Sequence, residues 1–404
     1  MNPPSPLRGG WREAPGGEVS HTPCVGDDRD FPTLAALRPV PPHEGEGGIP
    51  ALLALVAADL DARLERHAVA PVAVAFSGGG DSLALLLAAK VWADGAGRRL
   101  IALTVDHGLQ EESAGWARWC GDCAGRLGVA HRILVWRGPK PRSGLSAAAR
   151  EARHALIAAA ARQAGARIVL MGHTLDDCME GRAMRAEGSS VGEPRIWAPS
   201  PVWPGGAGVF ILRPLLAVRR ARLRDLLAGL GETWIEDPAN SDLRSARARA
   251  RASLAADQDF PPPRPRPSGA GLFAEAAVDT HGAIAVPRSI LGLAPPGETR
   301  AFVAAALLCA AGTVRPPRGR SLDALTARIV AAAPFAATLA GSRVDADADA
   351  VRFRREPGRN PTGRILAGDG AGLRRTVMGR LAAACGAIQR EAAIGRVAER
   401  PATP

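Results

Sequence analysis

Six residues, Ser77-Gly78-Gly79-Gly80-Asp81-Ser82, directly follow the apolar run Val72–Phe76 and precede the helix-like stretch Leu83–Val91. Binding a polyphosphate requires a buried strand running into a glycine-rich turn and then a helix N-terminus. Glycines let the backbone approach the anion, and successive N–H groups and the helix dipole point at it. The turn lacks the Gly-Lys-Ser/Thr ending of the ordinary P-loop, and Asp81 offers a carboxylate for Mg2+ in place of an ammonium for phosphate. A second cluster is His173 followed by Asp176, Asp177 and Glu180, at the start of a predicted helix. Asp176 and Glu180 are at i and i+4 on one face, and Asp177 and Glu180 at i and i+3. Such a group can bind a cationic amine or magnesium, although acids in a first helical turn also complement the macrodipole. Asp106 and His107 end another apolar run; Asp106 can equally cap the segment that follows. Arg150 and Arg153, at i and i+3, share a helix face that can clamp phosphate or simply be solvated. Arg244, Arg247, Arg249 and Arg251 form a basic run suited to an RNA backbone or to solvent.

The elements that must position these residues alternate regularly. A helix over Ala51–Arg66 leads into the strand at 71–76, the loop and a helix over 83–92. The strand Leu100–Val105 is followed by a helix from Ser113 to Leu127. Then come the strand Arg132–Trp136, the helix Ser146–Gln163, the strand Arg167–Met171 and a helix from Asp176. Apolar strands alternating with helices predict a doubly wound parallel α/β sheet, whose ligands bind beyond the carboxyl ends of the strands. The clusters at 77–82, 106–108 and 172–180 all fall at such ends, which predicts one shared site. Residues 188–209 read as an irregular loop, Phe210–Leu215 as a short strand stopped by Pro214, and Arg219–Leu230 as a helix. Residues 1–48 read as a disordered tail, 49–255 as the catalytic domain, 256–268 as a Pro-rich linker and 269–404 as a smaller mixed region.

The 404 residues carry a formal charge of +11, almost wholly from arginine. Arginine forks phosphate bidentately, so a polyanionic partner is expected, although a GC-rich coding bias produces the same composition. No apolar run is long enough to span a membrane. No apolar h-region follows Arg8 and Arg12. Six cysteines without a disulfide spacing fit a reducing cytoplasm. Cys120 and Cys123 form a single CxxC inside a predicted helix, too few ligands for a metal site or cluster.

Four segments together resemble the tRNA(Ile)-lysidine synthetase family of the PP-loop ATP pyrophosphatases: Ser77–Ser82, Thr104–Leu109, His173–Glu180 and Trp234–Ser241, with Arg213-Pro214-Leu215 beside them. The resemblance covers roughly residues 70–255. It implies an adenine nucleotide alpha hydrolase-like PP-loop fold with a C-terminal tRNA-binding region. The implied reaction joins L-lysine to C2 of the wobble cytidine of a tRNA(Ile) with a CAU anticodon, using ATP and Mg2+ and releasing AMP and pyrophosphate. By resemblance, Ser77, Gly78, Gly79, Gly80, Asp81 and Ser82, with Asp106, His107, Arg150 and Arg153, would bind ATP. Asp81 and Asp176 would hold Mg2+, Asp177 and Glu180 would contact lysine, and His173 would sit beside the reacting centre. Arg244, Arg247, Arg249 and Arg251 would meet tRNA. A homodimer is compatible with this reading. Departures from the family pattern are His154 for Tyr, Thr174 for the second His, Cys178 for Gln and Gly181 for Thr. A tRNA base-thiolation enzyme of the same fold and a non-catalytic tRNA-binding paralogue are the competing readings.

Overall fold

The structure, a computed structural model, describes residues 49–189, 191–192, 194–202, 206, 208–238, 245–254, 268–313, 317–331, 333–357 and 370–394. The tail 1–48, Arg244 and nearly all of the Pro-rich linker lie outside the described residues, as do the last three residues of the Trp234–Ser241 motif.

The catalytic half runs α1 (Ile49–Arg63), β1 (Val72–Ala75), α2 (Gly80–Ala96), β2 (Leu100–Asp106), α3 (Ser113–Arg126), β3 (Ala130–Val135), α4 (Leu145–Gln163), β4 (Ile168–Leu170) and α5 (Leu175–Ala186). It continues with β5 (Trp197–Pro199), β6 (Phe210–Leu212), α6 (Arg220–Gly229) and α7 (Ala246–Leu254). The sheet order is β3-β2-β1-β4-β6-β5, with every pair parallel except β5 against β6. The predicted doubly wound parallel sheet is therefore present. Its inner strands β2, β1, β4 and β6 are largely apolar and buried, with Ala73, Leu103, Val169 and Ile211 packing with Ile157 and Ala161 of α4, whereas the edge strand β3 is mostly exposed. One expectation is corrected. Residues 188–209 are not wholly irregular, since Trp197–Pro199 pairs with β6 as an antiparallel edge strand. The basic run at 244–251 is helical from Ala246, because alternating Ala and Arg are both strong helix formers.

The remaining residues form α8 (Ala270–Ala274), β7 (Ala277–Val278), β8 (Ile284–Pro287), α9 (Arg288–Leu293), α10 (Pro296–Ala311), α11 (Gly319–Val330), β9 (Phe335–Leu339), β10 (Ser342–Ala346), β11 (Ala350–Arg355) and α12 (Gly370–Cys385). Their sheet, β7-β8-β11-β10-β9, is antiparallel. Along β10 buried and half-buried residues alternate, the mark of a sheet covered on one face. That cover is α10, whose Phe302 meets Phe353 of β11 edge-on at 6.5 Å. The segment after α12 returns to the catalytic half. Trp197 Nε1 donates to the Gln389 carbonyl at 3.0 Å. The buried Arg98 forks Glu391 at 3.0 and 3.2 Å.

Candidate active site

The Ser77–Ser82 loop leaves β1 where the strand order reverses, with β2 on one side and β4 on the other. That reversal opens a crevice at the sheet's carboxyl edge. Gly78 has φ +81°, and a Cβ there would lie 2.4 Å from Ile235 Cδ1 and 3.0 Å from Cys120 Sγ, so both conformation and space require glycine. Ile235 N–H donates to the Gly78 carbonyl at 2.9 Å, and a Cβ on Gly80 would lie 3.5 Å from the Trp234 ring. The fourth sequence motif thus starts by covering the first. Helix α2 begins inside the loop at Gly80, which puts Asp81 and Ser82 in its first turn. Ser82 Oγ donates to the Gly79 carbonyl at 2.8 Å and accepts the Ser77 N–H at 3.2 Å, closing the loop on itself. At the end of β4, a Cβ on Gly172 would lie 3.0 Å from the Asp81 carbonyl oxygen, so strand and loop are in backbone contact.

Three of the predicted carboxylates converge on a residue the sequence reading did not single out, Arg220 at the start of α6. Its Nε donates to Asp81 Oδ2 at 3.0 Å and its Nη1 to Glu180 Oε1 at 3.0 Å, while Nη2 lies 3.8 Å from Asp177 Oδ2. Burial holds the Asp81 carboxyl above its usual range, with the Asp177 charge adding and Arg220 opposing. Asp177 lies below that range although burial works against it. The Thr174 N–H and the guanidiniums of Arg220 and Arg247 favour its charged form. Thr174 caps α5 in a reciprocal box with Asp177: the Thr174 N–H donates to Asp177 Oδ2 at 2.8 Å. Replacing a family histidine with threonine therefore supplies a cap.

Glu180 is 1 % exposed. Besides Arg220 it meets Arg251 Nε at 2.8 Å and Arg247 Nε at 3.4 Å. Two arginines of the basic run thus turn inward as counter-ions of a buried carboxylate, while Arg249 lies exposed. Asp176 is also committed: its Oδ2 accepts the Arg220 backbone N–H at 2.7 Å, and Oδ1 lies 3.4 Å from Arg219 Nε. It caps the start of α6. The signal for Arg220 was present in the sequence as a basic residue in a first helical turn, where the dipole disfavours it.

A cleft of about 1320 Å³ opens beside this cluster. Arg150, Arg153, His173, Asp177, Arg213 and Arg247 line one wall, with His107 at its edge. Residues of α10 and α12 line the other. Arg213 Nε donates to His173 Nδ1 at 3.3 Å. Burial, then Arg213, pushes His173 down to about 3. Burial, then Arg153, pushes His154 down to about 2, and His107 is lowered by burial and by Arg153. These histidines stay neutral among guanidiniums. Burial and then Arg150 lower both Arg153 and Arg213 to about 10. Asp106 Oδ1 accepts the Gly108 N–H at 2.8 Å. Cys120 and Cys123 are fully buried and pushed up by burial to about 12 and about 11. They are protonated core thiols, and Cys120 packs under the loop.

A glycine-rich turn with an aspartate at a helix start, set at the switch point of a parallel sheet, defines the ATP-using PP-loop class. Accordingly, residues 54–257 match the PP-loop domain. The chain is 50% identical over 303 residues to the tRNA(Ile)-lysidine synthase of Caulobacter vibrioides, covering 75% of this chain and 71% of that protein. It is 37% identical over 324 residues to the tRNA(Ile)-lysidine synthase of Hyphomonas neptunium, covering 76% of this chain and 87% of that one. The chain belongs to the tRNA(Ile)-lysidine synthase family. No described helix is long and apolar enough to cross a membrane.

Proposed function

We propose that this protein joins the side-chain amine of lysine to C2 of the wobble cytidine of a tRNA(Ile) with a CAU anticodon, in two steps at one site. In the first, the cytidine O2 attacks the α-phosphorus of ATP and pyrophosphate leaves. In the second, the lysine amine attacks C2, the C2–O2 bond breaks, and AMP departs with the oxygen. The observation carrying this reading is Arg220, which joins the phosphate loop to the carboxylate cluster through Asp81, Glu180 and Asp177. Activation and amine capture are thus one side chain apart.

The loop N–H groups and the N-terminus of α2 receive the triphosphate. Asp81 fits as the single carboxylate that a phosphate-bound magnesium needs. Mg2+ held there would neutralise charge on the departing pyrophosphate. Asp176 does not fit that role, because its oxygens cap α6. For lysine, Asp177 faces the cleft and stays ionised. Glu180 lies behind it and holds Arg220, Arg247 and Arg251 in place. Asp177 is therefore the direct lysine contact, and Glu180 acts through the arginines. Base thiolation is disfavoured by Cys120 and Cys123, whose buried, protonated sulfurs cannot reach a substrate.

The test is pyrophosphate release measured with ATP and the tRNA before lysine is added. Wild-type protein releases one equivalent and then waits for lysine. Asp81→Ala loses release by about 100-fold or more, whereas Asp177→Asn retains release and loses lysine transfer. Release that needs no tRNA, or transfer that survives Asp177→Asn, would contradict the assignment.

A further inference from the structure

The cleft does not include the phosphate loop. None of Ser77–Ser82 lines it, while Arg150, Arg153, Arg213 and Arg247 do. Among the described residues no carboxylate lies within ion-pair distance of Arg150, Arg153 or Arg213, and the Arg153 Nε is buried without an acceptor. Their mutual repulsion is relieved by an anion. The triphosphate is received elsewhere, by the loop, so this wall awaits a different phosphate.

The side of the cleft formed by α10 is mostly apolar, with Arg300 as its charged residue. Helix α10 is buried around most of its circumference, through Phe302, Val303, Ala306, Leu307 and Cys309. Gly297, Ala301, Ala304 and Leu308 are its half-exposed residues toward the cleft. They recur at steps of four, three and four, one straight stripe of a helix. Within the stripe, small uncharged side chains leave an apolar surface, and the exposed Arg300, paired with Asp323, stands beside it on the cleft. An apolar stripe on one wall and guanidiniums on the other match an unstacked nucleotide, with its base on the first and its phosphate on the second. The cleft volume also exceeds the few hundred to about 1,000 Å³ of ordinary small-ligand pockets.

We propose that the cleft is an RNA subsite separate from the ATP cradle. Arg150 and Arg153 hold backbone phosphate of the anticodon loop, and the Gly297–Leu308 stripe of α10 is the platform for its splayed bases. The C-terminal region thereby supplies a wall of the catalytic cleft itself. This rests on the function proposed above and moves Arg150 and Arg153 from the ATP to the RNA.

The experiment measures ATP affinity, tRNA affinity and lysine transfer for wild type, Ala304→Leu, Arg153→Ala and Arg153→Lys. Ala304→Leu fills the platform and raises the Kd for tRNA at least 10-fold, with ATP affinity within twofold of wild type. Arg153→Ala weakens tRNA binding and lowers the slope of log Kd against log salt by about one. Arg153→Lys restores the slope, which a merely misfolded variant would not. ATP affinity that falls with either substitution, or tRNA affinity that ignores both, overturns the proposal. If wild-type protein transfers no lysine, the proposed function fails, while the two affinities still decide the subsite.

Discussion

Arg220 is the residue on which the site's electrostatics turn, since it is the shared partner of Asp81, Asp177 and Glu180. Removing it leaves Glu180 buried with Arg247 and Arg251 alone. Arg220→Ala should therefore lower stability by about 3 kcal/mol, the range for breaking a buried pair, in a denaturant titration. Arg251→Ala should cost less, because among the carboxylates of this cluster Arg251 pairs with Glu180, whereas Arg220 also holds Asp81 and Asp177. The buried histidines set a pH dependence. Free histidine titrates near 6.5, but folded His173 and His154 titrate near 3 and 2. Between those values the unfolded chain binds more protons, so stability rises with pH through the window and is lost on acidification below about 6.5. Each histidine contributes up to about 1.4 kcal/mol per pH unit there. Asp177, with its lowered carboxyl, adds in the same direction near the foot of the window, and Asp81, with its raised one, opposes. Unfolding midpoints from pH 7 to 4 should fall, and less steeply in His154→Phe.

At the scale of elements, the phosphate loop is held by three neighbours: Ile235 from outside, Cys120 from α3 beneath, and Gly172 from β4. Gly172→Ala is the sharpest probe, because its Cβ meets backbone of Asp81 and Ser82 at 3.0–3.3 Å and backbone cannot rotate away. We expect a KM for ATP raised at least 10-fold with lysine affinity unchanged. The alternation of strands and helices from residue 71 to 186 was legible in the sequence because the inner strands β1, β2 and β4 are buried and read as apolar runs. So was the loop, whose residue types are dictated by anion chemistry. Strand β5 was not legible: a three-residue edge strand among Gly, Pro and Trp has no period to read. The destination of Arg247 and Arg251 was not legible either. Charge and spacing describe a helix face, but only the packing of α7 beside α5 reveals that the face turns inward to Glu180.

Across the whole molecule, the C-terminal region is joined to the catalytic sheet at several places distant in sequence. Gly379 of α12 lies so close to Phe210 that a Cβ would sit 3.3 Å from its ring. Glu391 is forked by Arg98, whose side chain is 1% exposed. Glu391→Ala leaves that guanidinium without its carboxylate and should cost about 2 kcal/mol, read as a lower unfolding midpoint of the entire chain. None of this long-range closure was visible in the sequence, because single ion pairs between residues some 300 positions apart leave no pattern. The +11 charge was visible, but its meaning depends on placement: part of it compensates buried acids and part lines the cleft. The central claim is that one site activates cytidine with ATP and then delivers lysine to it. The most direct measurement is a single turnover with labelled lysine, ATP and an unmodified CAU-anticodon tRNA(Ile), counting lysine bound and AMP released. The account predicts one lysine in the tRNA per AMP, at C2 of the wobble cytidine. AMP formed without lysine incorporation, or lysine attached at another position, would contradict it.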